Sequence, residues 1–173
     1  GYENFNLEPI KALCKELEVP YTVVDTEIAK IIFEDRKEEN PCSLCAKMRK
    51  GALNNFAKEL GCNKIAYAHH KDDFIETMLL SLFYEGQFFS FPPIKYFEDV
   101  DITVIRPMIY IPEKDIIGFQ NKMKFDSVKN PCPFDKNTKR ESVKKLLHQI
   151  QKENPNVKEK MFNAILKGKI YQW

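Results

Sequence analysis

The chain has 173 residues, of which 43% are hydrophobic and 30% are charged, and its formal net charge is +2. This balance is typical of an ordinary folded protein and excludes the disordered, collagen-like and disulfide-scaffold classes. The longest apolar run, residues 78–84, is far shorter than the roughly 20 residues that cross a bilayer, so we expect no membrane association.

Apolar spacing and turn residues predict short strands that alternate with helices. A helix over 6–18, a strand over 21–25 and a short helix over 27–33 come first; a long helix after Cys45 and a strand over 64–68 follow. The later predictions are a helix over 73–85 capped by Asp72, an irregular segment over 87–100, a strand over 102–105, a helix from Pro112, a loop over 130–135, a helix begun by the capping box Thr138–Glu141, and a last helix over 157–166.

This alternation predicts an α/β fold, in which a parallel sheet carries helices on both faces. Ligands of such folds bind at the carboxyl ends of the strands. His69 and His70 follow one predicted strand and Arg106 follows another. We therefore expect the functional site at this edge of the sheet.

Three of the five cysteines are candidate ligands of an inorganic centre. Cys42 and Cys45 form a C-x-x-C pair, and Cys132 lies in a later loop with the same Asn-Pro-Cys context as Cys42. An odd cysteine count with such a pair favours metal or sulfur chemistry in the cytosol over disulfides. A closed zinc site would need a fourth ligand, such as one of the three histidines, whereas an iron–sulfur cluster held by three thiolates keeps one iron open. Three unrelated thiols are the alternative.

The segment from Ala68 to Thr77 carries a second signal. A strand end that leads into a helix offers free backbone N–H groups to a phosphate, and Asp72, Asp73 and Glu76 could hold Mg²⁺. Acidic residues at a helix start also serve as simple caps, which is the alternative interpretation. No two glycines lie close enough in the sequence to form a glycine-rich phosphate loop.

Basic residues concentrate at the end of the chain. Residues 129–173 contain 11 Lys or Arg and 4 Asp or Glu, a local charge of +7. We predict that this part is a basic helical extension, distinct from an α/β domain over 1–128, and that it binds RNA phosphates. A solvated helix face would give the same pattern. The residues predicted to bind RNA are Lys139, Arg140, Lys144 and Lys145.

Together, these motifs resemble the bacterial tRNA 2-thiocytidine synthetase (TtcA) family of the PP-loop ATPases. The resemblance rests on the order and spacing of Pro41–Cys45, Arg49–Gly51, Ala68–Asp73, Glu76–Thr77, Ile105–Pro107 and Pro131–Cys132, and it spans nearly the whole chain. It implies a three-layer, Rossmann-like fold. It also implies a cytoplasmic enzyme that adenylates cytidine 32 of a tRNA anticodon loop with ATP and Mg²⁺ and then replaces the 2-oxo group with sulfur.

The resemblance also assigns residues. It implies that Cys42, Cys45 and Cys132 hold a catalytic [4Fe-4S] cluster, and that His70, Asp73 and Arg106 belong to the nucleotide site, with Asp73 taking part in catalysis. Many members have a further cysteine where this chain has Asp135, a departure that leaves the three thiols intact. The implied partners are tRNA, a cysteine desulfurase system as sulfur donor, and a second copy of the protein in a homodimer.

One departure from the family pattern is larger. Members begin with a strand and a Ser-Gly-Gly-x-Asp-Ser loop that binds the pyrophosphate of ATP, and this sequence contains neither. We therefore expect that about the first third of the enzyme is missing and that the chain alone is inactive. Two other functions stay open: an RNA-binding module with a structural zinc site, and a PP-loop relative that modifies another substrate by sulfur transfer or amidation.

Overall fold

A computed structural model describes residues 5–38, 41–135 and 138–171. In this part of the chain we number the helices and strands in order. The helices are α1 (Glu8–Glu16), α2 (Ile28–Lys30), α3 (Pro41–Glu59), α4 (Lys71–Leu80), α5 (Glu113–Met123), α6 (Lys139–Glu153) and α7 (Val157–Lys167); the strands are β1 (Lys64–Ala66), β2 (Ile94–Phe97) and β3 (Ile102–Ile105). None of these helices combines the length and the apolar character needed to cross a membrane.

The strands form one sheet in the order β1-β3-β2. The Thr103 N–H donates to the Asn63 carbonyl over 3.0 Å and the Tyr67 N–H donates to the Ile105 carbonyl over 2.9 Å, an ascending pattern that makes β1 and β3 parallel. Only a 3₁₀ turn, Glu98–Val100, and Asp101 join β2 to β3, a connection short enough for an antiparallel pair only. The sheet is therefore mixed, and the prediction of an α/β fold is confirmed.

The chain divides into two compact units. The first unit contains the residues up to Ile65, Phe97–Thr103 and Lys124–Pro133; the second contains Ala66–Tyr96, Val104–Met123 and the residues from Phe134 onward. The division at residue 128 that we drew from the charge distribution concerns function, and it stays a prediction.

The core of the second unit is built around α4. Phe74, Ile75, Met78 and Leu79 of this helix are buried against α6 and α7. A π-helical turn, Ser81–Glu85, continues α4, and Gly86 ends it in the left-handed conformation with φ of 66°. The apolar side chains of α4 therefore pack against two helices, which places α4 at the centre of this core.

Three local predictions are wrong. Residues 21–25 form no strand, because a β-prone run needs a partner strand and none of the described residues pairs with it. The segment 87–100, expected to be irregular, contains β2, since its residues pair with β3 despite the preceding prolines. Thr138 is the N-cap of α6, yet its side chain makes no capping hydrogen bond, so the predicted capping box with Glu141 does not form.

Candidate active site

His70 and Asp73 form a reciprocal capping box where the chain enters α4. The backbone N–H of Asp73 donates to Nδ1 of His70 over 3.4 Å, and the backbone N–H of His70 donates to Oδ2 of Asp73 over 3.1 Å. The unprotonated Nδ1 leaves the ring proton on Nε2, which lies 3.4 Å from Oδ2 of Asp73 and 4.0 Å from Oε1 of Glu113. The cap therefore fixes the orientation of the imidazole between two carboxylates.

Asp72 is not the cap that we predicted. Its side chain points away from the helix start, where Oδ2 accepts the Glu113 backbone N–H over 2.7 Å and Oδ1 pairs with Nζ of Lys158 at 2.6 Å. Burial alone would raise the pKa of Asp72, but these two partners outweigh it and hold the pKa below 3.8. Asp72 therefore joins α4 to the start of α5 and to α7 as an ionised group.

Glu76 lies one turn further along α4 and is buried, with 2% of its side chain exposed. Burial raises its pKa, although Nη1 of Arg140 at 2.9 Å and Nζ of Lys144 at 3.9 Å favour the charged form. The same Lys144 donates to Oε1 of Glu113 over 3.0 Å, and its acidic neighbours raise its own pKa against the effect of burial. Acidic and basic side chains thus alternate around His70.

Arg106 lies at the end of β3 and contacts the neighbouring residue of His70. Its Nε donates to Nδ1 of His69 over 3.3 Å, its Nη1 donates to the Pro92 carbonyl over 2.6 Å, and its guanidinium lies 4.6 Å from the centre of the Phe91 ring. Burial lowers the pKa of His69 and the charge of Arg106 lowers it further. His69 therefore accepts this hydrogen bond as a neutral ring, whereas the sequence indicated it only as a possible fourth zinc ligand.

The predicted nucleotide residues thus lie close together in the second unit. His70 and Asp73 are bonded to each other, and Arg106 reaches the adjacent His69. The hydrogen bond from Tyr67 to Ile105 keeps the ends of β1 and β3 side by side, which is where parallel sheets bind ligands. The roles of these residues stay predictions, but their proximity agrees with a shared site.

The four predicted tRNA-binding residues have different surroundings. Nζ of Lys139 lies 4.4 Å from the centre of the Tyr84 ring, and Lys145 is exposed. Arg140 and Lys144 instead pair with the acidic side chains of α4 and α5. Whether any of the four binds tRNA stays a prediction.

The predicted cluster ligands all belong to the first unit. Cys42 and Cys45 lie in the first turns of α3, and Cys132 lies in a loop, where its N–H donates to Oδ1 of Asn130 over 3.1 Å. All three thiols are free, and thiolates are the donors that iron–sulfur clusters use, so the donor chemistry fits. Within the described ranges, however, no three His, Cys, Asp or Glu side chains form a group able to hold a metal ion.

Comparisons with known proteins place the chain in a family. Residues 3–151 match the family described as a PP-loop domain. The chain is 36% identical over 168 residues to a tRNA-cytidine(32) 2-sulfurtransferase of Geobacter sulfurreducens, covering 95% of this chain and 65% of that protein. It is 37% identical over 153 residues to the protein of the same name from Coxiella burnetii, covering 85% and 58%.

The comparison with a solved structure supports the α/β fold. The chain resembles the U34-tRNA thiolase NcsA from Methanococcus maripaludis, solved with its [4Fe-4S] cluster, with a TM-score of 0.77 and 21% identity over 96% of this chain and 58% of that one. The chain is thus a PP-loop domain protein of α/β class. It belongs, more narrowly, to the tRNA 2-thiocytidine synthetase family, as the motifs predicted, and it spans about two thirds of the length of its curated relatives.

Proposed function

We propose that the chain is part of an ATP-dependent tRNA sulfurtransferase that thiolates C2 of cytidine 32 in the anticodon loop. The observation that carries this proposal is the His70–Asp73 capping box at the start of α4, with Arg106 at the end of the parallel strand β3. The N–H groups of Lys71 and Asp73 already have partners, so a phosphate at this place would be attracted by the positive end of the α4 dipole and by the Arg106 guanidinium. The names of the relatives supply the substrate, a tRNA cytidine.

The proposed chemistry has two steps. The cytidine O2 attacks the α-phosphorus of ATP, and pyrophosphate leaves, so that the poor oxygen leaving group becomes an adenylate. A sulfide sulfur then attacks C2, and AMP leaves with the former O2. In this scheme the Arg106 guanidinium and His70 face the nucleotide, while Asp73 orients His70 and contributes a carboxylate toward Mg²⁺.

Cys42, Cys45 and Cys132 would hold the [4Fe-4S] cluster. When bound by three thiolates, such a cluster keeps one iron open to carry the incoming sulfur. The three cysteines belong to one compact unit, and the exposed Cys42 and half-buried Cys45 are one helical turn apart on α3. Because the described side chains form no ready three-ligand group, we propose that the loop of Cys132 closes on α3 when the cluster is assembled.

Anaerobic reconstitution with iron and sulfide tests the ligand set. We expect a brown chromophore that is lost in Cys42→Ser, Cys45→Ser and Cys132→Ser. The matched controls are Cys14→Ser and Cys62→Ser, which change a thiol in the same unit and should keep the colour. Any other grouping of sensitive cysteines contradicts the ligand set, and one zinc per chain without iron after anaerobic purification would favour the structural zinc site instead.

The activity is tested with the gene product that contains this chain, incubated with ATP, Mg²⁺, sulfide and tRNA transcripts. Nucleoside mass spectrometry should find 2-thiocytidine only when ATP is present and only in transcripts with cytidine at position 32. Sulfur on another nucleotide would identify a PP-loop relative with a different substrate. Binding of the same tRNA should weaken steeply with salt if residues 129–173 contact phosphates, and a flat response would contradict that surface.

The remaining parts of the proposal concern partners. A cysteine desulfurase system as sulfur donor, a homodimer and a cytoplasmic location follow from the family resemblance alone. They stay predictions, and purification of the gene product with measurement of its mass in solution tests the homodimer directly.

A further inference from the structure

We infer that Arg140 and Lys144 are positioning residues for the His70–Asp73 site, and that they are not phosphate contacts for tRNA. This inference rests on the proposed function, because it gives the two cations a role in the nucleotide site. It also divides the four predicted tRNA-binding residues of α6 into two classes, one that pairs with acidic side chains and one that stays available to RNA.

Arg140 contacts three residues on the first turns of α4. Its Nη1 donates to Oε2 of Glu76 over 2.9 Å and lies 3.6 Å from Oδ1 of Asp73, while its Nη2 donates to Oγ1 of Thr77 over 3.3 Å. The other oxygen of Asp73 accepts the backbone N–H of His70. Both oxygens of Asp73 therefore have partners, which fixes the side-chain rotamer of this carboxylate.

Lys144 contacts the second carboxylate near the same imidazole. Its Nζ donates to Oε1 of Glu113 over 3.0 Å, and this oxygen lies 4.0 Å from Nε2 of His70. Arg140 and Lys144 are four residues apart on α6, so they project from the same face of the helix. Each cation thus holds one of the two carboxylates that flank His70.

The burial of the Glu76 carboxylate explains why both Arg140 and Lys144 lie beside it. It is buried, with 2% of its side chain exposed, and among the described residues its ion-pair partners are Arg140 and Lys144. A phosphate that drew either cation away would weaken the pairing of a buried carboxylate, which is costly. By contrast, Lys139 and Lys145 form no ion pair with a carboxylate of the described part of the chain, and this constraint does not apply to them.

The test compares substitutions in the gene product that contains this chain. Arg140→Lys keeps the charge beside Glu76 but lacks the planar fork that reaches three partners at once. Glu76→Gln with Arg140→Gln removes both charges together, so that no buried charge is left unpaired. Each variant is measured for the ATP dissociation constant, the KM for ATP, kcat, tRNA affinity across a salt series, and the urea midpoint.

We expect both variants to weaken ATP binding or to lower kcat about 10-fold to 100-fold, because displacement of a positioned group by about 1 Å costs that much. Their tRNA affinity and its salt dependence should match the parent protein. Lys145→Gln should have the opposite effects. It should weaken tRNA binding, reduce the slope of log affinity against log salt concentration by about one, and leave the ATP affinity unchanged. Lys122→Gln, an exposed charge loss on α5 outside residues 129–173, is the matched control and should change neither.

The inference is overturned if Arg140→Lys weakens tRNA binding and lowers the salt slope while ATP affinity is unchanged. It is equally overturned if both variants with native urea midpoints bind and turn over ATP like the parent, or if the parent binds no ATP. A parent that binds ATP but forms no 2-thiocytidine refutes the proposed function instead. The comparison of ATP affinities among the variants then still decides the role of Arg140.

Discussion

Replacing Asp72 with asparagine tests how much one buried ion pair stabilises the second unit. Asp72 is 4% exposed, and its two oxygens bind the Glu113 backbone N–H at 2.7 Å and Nζ of Lys158 at 2.6 Å. The amide of the Asp72→Asn variant would keep an oxygen for the backbone donor but would lose the charge that faces Lys158. The substitution therefore isolates the contribution of the ion pair between α4 and α7.

The magnitude follows from the geometry of the two bonds. A hydrogen bond that involves a charged group contributes about 1.5–3 kcal/mol, and removal of one partner of a fully buried pair costs about 3–5 kcal/mol. The side chain of Lys158 is 33% exposed, so its ammonium can regain water. We therefore expect Asp72→Asn to lower the free energy of unfolding by about 1–2 kcal/mol, and Asp72→Ala, which loses both bonds, by about 2–4 kcal/mol.

The effect should depend on pH in a defined direction. The folded protein holds the pKa of Asp72 below 3.8, so the ionised side chain stabilises the fold fully above this value. The stabilisation is lost as the pH falls through the lower pKa of the folded state. The difference between the parent and Asp72→Asn should thus be constant near pH 7 and shrink below about pH 4.

Urea denaturation of the chain at several pH values measures this difference. The matched control is Asp126→Asn, an exposed carboxylate whose loss should change stability by less than about 0.5 kcal/mol. Lys158→Met, alone and combined with Asp72→Asn, gives the coupling energy of the pair. The reasoning is refuted if Asp72→Asn behaves like Asp126→Asn, or if its effect persists unchanged at acid pH.

Three further predictions use the same region. Gly86→Ala should lower the free energy of unfolding by about 1 kcal/mol because the φ of Gly86 is 66°. Gly118→Ala in α5 should raise it by about 0.5–1 kcal/mol through helix propensity, since the new Cβ meets no atom within 4 Å. If urea denaturation shows that both variants change stability in the same direction, this prediction is contradicted. Phe74→Ala should lower the free energy of unfolding by about 3–5 kcal/mol in the same assay, because the ring is fully buried. A change near zero would mean that neighbouring side chains move in and fill the cavity left by the ring. By NMR, the pKa of His69 should lie below 6.5. Arg106→Gln should raise this pKa only in part, because burial is the larger cause of the shift. A pKa at or above 6.5 in the parent protein contradicts the burial of His69 beside Arg106.

The sequence predicted well those elements whose residues repeat a strong local pattern. The apolar stripe of α4 and the strand over 102–105 appear where the pattern put them, because burial and period are both encoded locally. The strand over 21–25 was wrong because β-propensity does not reveal whether a partner strand is available. The strand over 94–97 was missed because the preceding Pro92 and Pro93 indicated an irregular segment, although β2 forms a short hairpin with β3.

The candidate site shows the same difference between features encoded locally and features set by tertiary contacts. His70, Asp73 and Arg106 were predicted from strand ends and motifs, and the structure places them close together in the second unit. The exchange of roles between Asp72 and His70 was out of reach, because Asp is a preferred N-cap residue and the local sequence does not show that other partners occupy the Asp72 carboxylate. Tertiary partners, namely Glu113 and Lys158, decide which one does.

The basic residues of α6 show why a charge count alone overstates a nucleic-acid surface. Lys139, Arg140, Lys144 and Lys145 look equivalent in sequence, and only the packing of α6 on α4 separates them. The carboxylates of Glu76 and Glu113 belong to distant stretches of chain, and they engage two of the four cations at 2.9 and 3.0 Å. Of these two glutamates, Glu76 is buried, with 2% of its side chain exposed, and the cost of its desolvation is offset only while a cation stays paired with it. If the inference about Arg140 and Lys144 holds, two of the four predicted tRNA-binding residues, Lys139 and Lys145, carry the positive charge that this part of the helix offers to RNA.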